Sequence, residues 1–420
     1  TISAEDYNLL TNAAAAEKEA SEAQAAEMKK EVEEATANMP VIETDGKLVV
    51  SDRKGNWSFQ PSGRVMWDAV DADADLDNSD QDVQGTELRR ARLGFKGDIY
   101  DWNYKLEVDF AGGEEVSIKD AYLGYGNSLT DTTEYDIKLG QSHIPFGLNT
   151  KISSNYMSFI DRPFFADSSV SPARSSGVVA SVNDNDYRWA LSAGLQNGEF
   201  DGDNDTYEIN GSTFAVRGSF LPFFQDEKNL VQLGAAYLTQ GGGDDFGFRP
   251  DLVSHDDIFR PLNTTTIDAD NFDGADAFTV DAMAIFGSFH AMAEYLDHSA
   301  KLDLGDDIDT SGYAVEAGYF LTGESLKWKK GYTSGISPKS QYGAWQVAAR
   351  FENIEIDNSN PGFGTSEYDK FTVGVNYYPT KNTRLMLNYD HVTDLSVDGA
   401  SDEINSAEPS ALKFRAQAYW

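Results

Sequence analysis

Glu87-Leu-Arg-Arg-Ala-Arg-Leu-Gly-Phe-Lys-Gly-Asp-Ile99 is the stretch that decides the fold. Ala91, Leu93, Phe95 and Ile99 fall on one face of an extended chain, and Arg90, Arg92, Lys96 and Asp98 on the other. Successive side chains of a strand point to opposite sides, so the segment is apolar on one face and charged on the other. Tyr104, Leu106, Val108 and Phe110 oppose Asn103, Lys105, Glu107 and Asp109 in the same way. Near the far end, Leu412, Phe414, Ala416, Ala418 and Trp420 oppose Lys413, Arg415, Gln417 and Tyr419. Soluble sandwiches share such alternation, so the number and spacing of the repeats carry the argument.

The pattern recurs near 57–67, 87–99, 102–110, 116–125, 135–142, 176–182, 188–195, 213–220, 230–239, 278–286, 289–298, 312–321, 344–353, 368–378, 384–391 and 411–420. Most repeats have the length of a tilted membrane strand. Short gaps alternate with long, mostly acidic ones, the asymmetry of outer-membrane barrels between periplasmic turns and outer loops. Two gaps break the rule: 322–343 is long where a turn belongs, and 111–115 is short where a loop belongs. The reading is all-β: a 16-stranded antiparallel transmembrane β-barrel, both ends on the periplasmic side, with Trp420 closing the last strand.

Composition agrees. Of 420 residues, 44 are Tyr or Phe (20 and 24), and 70 acids outweigh 33 bases for a net charge of −37. Mean hydropathy is negative, as alternation produces, and no apolar run approaches the roughly 18–20 residues of a membrane helix. The absence of Cys fits a chain that crosses the periplasm unfolded. The start at Thr1 without a leader reads as a mature protein with its signal peptide removed. The negative charge argues against nucleic acid as a partner.

Residues 4–38 are different: rich in Ala, Glu and Lys, without Gly or Pro, and closed by Pro40. A 3-4 spacing from Tyr7 through Ala14, Ala25, Met28 and Val32 to Met39 gives a weak heptad seam. Either it is a periplasmic coiled coil joining subunits, or it is a solvated, partly frayed helix. The expected organisation is a helix over 1–40, a linker over 41–56 and the barrel over 57–420.

No enzyme motif is present: five scattered His, no G-x-S-x-G, H-E-x-x-H or P-loop. The reading is no enzyme, no cofactor and no metal site. Asp runs such as 71–75 and 201–205 lack the Gly and Glu of calcium loops and read as solvated outer loops, or as loose holders of divalent ions. Placing each apolar face toward lipid turns the strand-borne cations inward, where rings of Arg and Lys favour anions. The candidate pore-lining residues are Arg64, Arg89, Arg90, Arg92, Lys105, Asp120, Lys138, Arg217 and Arg350, with Lys151, Arg162 and Arg174 from the gap 143–175. That gap is less acidic than the others and carries Phe146, Phe159 and Phe164, which suits either a loop folded into the barrel or one packed between subunits.

Leu88-Arg-Arg-Ala-Arg-Leu-Gly-Phe95, Asp101-Trp-Asn-Tyr104, Lys138-Leu-Gly-Gln141 with Pro145-Phe-Gly-Leu148, and Leu321-Thr-Gly-Glu-Ser325 with Gly343-Ala-Trp345 carry a resemblance to the phosphate-selective porin O/P family. The resemblance covers about 57–420. It implies a homotrimer in outer-membrane lipid and lipopolysaccharide, and a passive pore for small anions such as phosphate. It also implies an arginine ladder, here at Arg64, Arg89, Arg90 and Arg217, leading to a lysine-rich constriction with an aspartate, here either Asp120 or replaced by Lys119. The family's constriction lysines match poorly: Lys151 falls one residue late, and Asn103 stands where a lysine is expected, with Lys105 close by on the same face. The alternatives are a weakly selective or cation-preferring porin, and a tethering protein whose pore is incidental.

Overall fold

The computed structural model describes residues 3–36, 39–44, 46–76, 82–111, 116–197, 212–242, 246–248, 250, 271–360 and 363–420. The Asp201–Asp205 run lies outside them.

Sixteen antiparallel strands follow in chain order: β1 Ser58–Asp73, β2 Val83–Ile99, β3 Trp102–Asp109, β4 Ser117–Thr130, β5 Thr133–His143, β6 Arg174–Asp184, β7 Trp189–Asn197, β8 Ser212–Asp226, β9 Asn229–Gly241, β10 Phe272–Phe286, β11 Phe289–Leu302, β12 Ile308–Phe320, β13 Ala344–Asn358, β14 Thr365–Thr380, β15 Thr383–Val397 and β16 Ser410–Tyr419. Each pairs with the next, and β16 pairs with β1, Arg64 opposite Tyr419. Closure leaves no unpaired edge, the condition for a sheet in lipid. Trp420 adds two backbone hydrogen bonds to Gly63, of 3.1 and 3.2 Å.

The alternation read from the sequence is the alternation of the wall. Trp67, Leu93, Phe95, Leu123, Val178, Leu191, Val280 and Val375 are exposed on the outside. Aromatic pairs gird both ends: Trp102 with Tyr125 (5.0 Å) and Trp345 with Tyr377 (4.6 Å) beside the short turns, Phe278 with Tyr295 (5.9 Å) and Tyr313 with Phe351 (6.1 Å) toward the loops.

The long segment 321–343 is a folded turn. It contains a hairpin, Lys327–Lys329 with Tyr332–Ser334, and buries Leu326, Trp328 and Ile336 in the short-turn mouth. Trp328 Nε1 donates to Gln232 Oε1 at 2.8 Å. Its ends are joined: Trp345 N donates to Thr322 Oγ1 at 3.0 Å and Leu321 N to the Trp345 carbonyl at 2.8 Å. The Thr-Gly-Glu-Ser and Gly-Ala-Trp motifs therefore form one joint. At the N-terminus a helix, Ala4–Thr36, is followed by a short hairpin, Val41–Glu43 with Val49–Ser51, whose second arm pairs with the start of β1.

Candidate functional site

The loop between β5 and β6 lies inside the barrel. Phe146, Leu148, Ile152, Phe159, Ile160 and Phe165 are all at most 1% exposed. A loop within a barrel must satisfy its backbone polar groups on the wall. Glu294 accepts from the N–H groups of Leu148 (2.7 Å) and Asn149 (2.8 Å). Asn388 accepts from Ile160 N at 2.7 Å. Carbonyls of the loop are met by Asn376 at Ser158 (2.8 Å), Arg350 at Asp161 (2.9 Å), Arg415 at Ile160 (2.7 Å) and Arg384 at Met157. All these wall residues lie on β11 and β13–β16, so the loop is fastened to that side and leaves space against β1–β6.

That space is a cavity of about 90 Å³, enough for several waters or one small oxyanion. Seven cations line it: Arg64, Arg90, Arg92, Lys105 and Arg174 from the wall, Lys151 and Arg162 from the loop. His143, Ser153, Ser154 and Asp167 complete the lining with Ile152. Arg64 and Arg92 stand directly opposite each other across β1 and β2, and Glu107 bridges them at 3.0 and 3.2 Å. Arg92 also meets Asp109 at 2.6 Å. Asp120 holds Lys105 at 2.6 Å and Arg174 at 3.3 Å. Arg162 donates to the Ile152 carbonyl at 2.7 Å and lies 3.6 Å from Asp167. Seven cations against four carboxylates leave an excess of three positive charges.

Among the described residues, one of the three excess charges arises because Asp120 serves both Lys105 and Arg174, and the other two sit on groups without an acid. Arg90 is 7% exposed, has no carboxylate within ion-pair distance, contacts Met66 Sδ at 3.7 Å and leaves its Nε without a partner. Lys151 lies over the Tyr332 ring at 5.6 Å and likewise has no carboxylate partner. A buried guanidinium without a counter-charge is costly unless an anion supplies one. Its planar fork matches two oxygens of a tetrahedral oxyanion.

The remaining candidates lie elsewhere. Arg89 is the extra residue of a β-bulge between Leu88 and Arg90, half-buried beside the arginine row and 3.8 Å from Glu87. Asp120 stands behind Lys105, 2% exposed. Lys138 pairs with Asp136 at 3.5 Å and lies over Tyr122. Arg217 grips Asp281 through two hydrogen bonds of 2.5 and 3.0 Å, reaching across the intervening strand where Gly234 leaves room. A Cβ on Gly234 would stand 2.6 Å from Asp281 Oδ1 and 2.7 Å from Arg217 Nη2. Arg350 pairs with Glu352 at 2.7 Å, and Lys370 with the same carboxylate at 2.6 Å. Arg415 pairs with Asp68, and Lys413 with Asp161 and Asp390. The far side of the lumen thus spends its cations on fixed acids and on the loop. His143 and Asp167 are lining residues that the candidate set lacks: His143 ends β5, and Asp167 is brought in by the inward loop, whose apolar content suggests its course but not which of its polar side chains meet the cations.

The model of the family described as phosphate-selective porin O and P matches residues 59–420. Porin O of Pseudomonas aeruginosa is 24% identical over 403 residues, covering 86% of this chain and 90% of that protein. Among solved structures, the anion-selective porin from Comamonas acidovorans superposes with a TM-score of 0.55 at 13% identity, covering 87% of this chain and 100% of that one. OmpT of Vibrio cholerae in its trimer form gives 0.55 at 15% identity, covering 87% and 99%.

Proposed function

The chain belongs to the phosphate-selective porin O and P family and forms a passive outer-membrane channel, and from that premise we propose that its pore prefers anions, phosphate among them. The observation that carries the reading is Arg90: a buried guanidinium with no acidic partner among the described residues, in a cavity of net positive charge. Arg64, Arg92, Lys105, Lys151, Arg162 and Arg174 supply the rest of the field, and Arg89 and Asp120 shape it from behind. Low-dielectric walls strengthen such a field, so an entering anion exchanges hydration for guanidinium and ammonium donors. Arg217, Arg350 and Lys138, each already paired with an acid, act in this reading on the wall and its stability.

The assembly in this reading is a homotrimer set in outer-membrane lipid and lipopolysaccharide. In this reading residues 1–40, with the helix Ala4–Thr36, are the periplasmic segment that joins subunits as a coiled coil, 41–56, with its short hairpin, is the link, and 57–420 is the barrel. The support is the exposure of Met28 and Val32 on one helix and the fixed exit of that helix, where Arg53 Nε donates to the Thr36 carbonyl at 2.9 Å.

Planar-bilayer recording in a KCl gradient tests the selectivity. An anionic reversal potential, with chloride current blocked by added phosphate, is the expected result. A cationic reversal potential overturns the reading.

A further inference from the structure

The inward loop rests on the folded turn 321–343. Leu148, Ile152 and Met157 of the loop share one apolar cluster with Leu326, Trp328 and Ile336 of the turn. The Tyr156 ring of the loop lies so near Gly335 of the turn that a Cβ there would stand 3.1 Å from it. The turn's hairpin has a two-residue tip, Lys330-Gly331, at φ +54° and +87°, the left-handed pair that a tight hairpin requires. Gln232 of β9 fixes that tip at two points. Its amide donates to the Gly331 carbonyl at 3.0 Å and accepts from Trp328 Nε1 at 2.8 Å.

Tyr332 is the first residue after the tip, so the hairpin and Gln232 together set its place. Its ring meets the loop at Lys151, whose Nζ lies 5.6 Å from the ring centroid. Among the described residues Lys151 has no carboxylate within ion-pair distance, and Lys138 and Arg217 repel it. A carboxylate at this place would hold the ammonium and offset its charge, as Asp136 does for Lys138. An aromatic ring attracts a cation through its quadrupole and carries no net charge of its own. The lysine is therefore held without being neutralised. On a free four-carbon stem the ammonium would be spread over many rotamers, and an entering anion would have to order it.

We propose that Tyr332 is a specificity-determining residue of the channel, which positions Lys151 for orthophosphate and leaves the lysine's charge to the lumen. The turn 321–343 is by this reading a working part of the constriction, through one aromatic contact, and not only a cover on the short-turn mouth. The proposal rests on the anion-preferring reading of the pore.

The test is phosphate block of chloride current through the full-length protein in planar bilayers, with and without Lys151. Tyr332→Leu should weaken block about three- to tenfold, the range of one cation–aromatic contact. Tyr332→Phe, which keeps the ring, should restore most of that loss. In a Lys151→Gln background, where Arg90 and the other cations keep block measurable, Tyr332→Leu should have no further effect. Gln232→Leu, which releases the hairpin tip, should repeat the behaviour of Tyr332→Leu in both backgrounds. Equal loss with and without Lys151 would show that Tyr332 only supports the turn, and overturns the proposal. So does unchanged block in Tyr332→Leu, or a loss in Tyr332→Phe as large as that in Tyr332→Leu. A cationic reversal potential, or no phosphate block, in the unaltered protein overturns the reading beneath it instead.

Discussion

Glu294 on the barrel wall and Asn149 in the inward loop are joined twice, through the backbone N–H and through the side-chain amide, both at 2.8 Å. With the third hydrogen bond from Leu148 N, one buried carboxylate caps the start of the loop's single helical turn, Leu148–Lys151, and sets where Lys151 enters the cavity.

Replacing Glu294 with Ala should therefore loosen the constriction before it loosens the barrel. Hydrogen bonds to a charged group contribute about 1.5–3 kcal/mol each, and three donors would lose their acceptor. Single-channel recordings should show a higher conductance with noisier open levels and weaker phosphate block, while the barrel still migrates as folded on unheated gels.

Arg90→Gln should reduce anion preference without unfolding. Among the described residues no carboxylate pairs with Arg90, so its neutral replacement orphans none of them. The reversal potential in a KCl gradient should move toward zero and phosphate block should weaken. An unchanged reversal potential would locate the selectivity elsewhere in the lumen.

Arg217→Met should do the reverse. It leaves Asp281, whose side chain is fully buried, without its cation. Breaking a buried pair in this way costs about 3–5 kcal/mol. Thermal unfolding in detergent should shift down clearly while the reversal potential moves little. Gly234→Ala, which would press a methyl group between the two partners, should reproduce the effect.

The turn at Glu324 should make stability pH-dependent. Burial alone would raise this carboxyl, but hydrogen bonds from the Thr322 hydroxyl and the Lys339 N–H hold it below the usual carboxylate range. A carboxyl lowered on folding contributes stability above its unfolded value, and that contribution fades as pH falls through the folded value. Glu324→Ala should thus lower the melting temperature at pH 7 and differ progressively less from the unaltered protein as acid is added below about pH 4.5. A constant difference across that range would show that packing, not charge, makes the contribution.

Most of the wall was legible because lipid outside and water inside impose a period of two on every strand, and Leu93 beside Arg92 states that period in two residues. Membership of the cavity was legible for Arg64, Arg90, Arg92 and Lys105, whose face alone places them. Which of the inward cations stay available to a solute was not. Arg217 and Arg350 show the same alternation as Arg90, but their acids come from another strand or from the same face two residues on, and register decides the meeting. Bulges shift that register: the extra residue at Arg89 leaves no mark in the pattern, because Arg-Arg reads as one inward and one outward side chain. The inward loop was suggested by its apolar content, yet its anchors on Glu294 and Asn388 are contacts far apart in the chain.

The seam between Arg64 and Tyr419 has a kinetic consequence. Its two strands stand at opposite ends of the barrel sequence, so the contact that closes the cylinder needs the whole chain to have arrived. The entropy of so long a loop grows only slowly with length, and the cost of delay lies instead in the open edges of β1 and β16, which cannot rest in hydrocarbon. Folding and membrane insertion are therefore expected to finish together, in one late step that a chain missing its last strand cannot take.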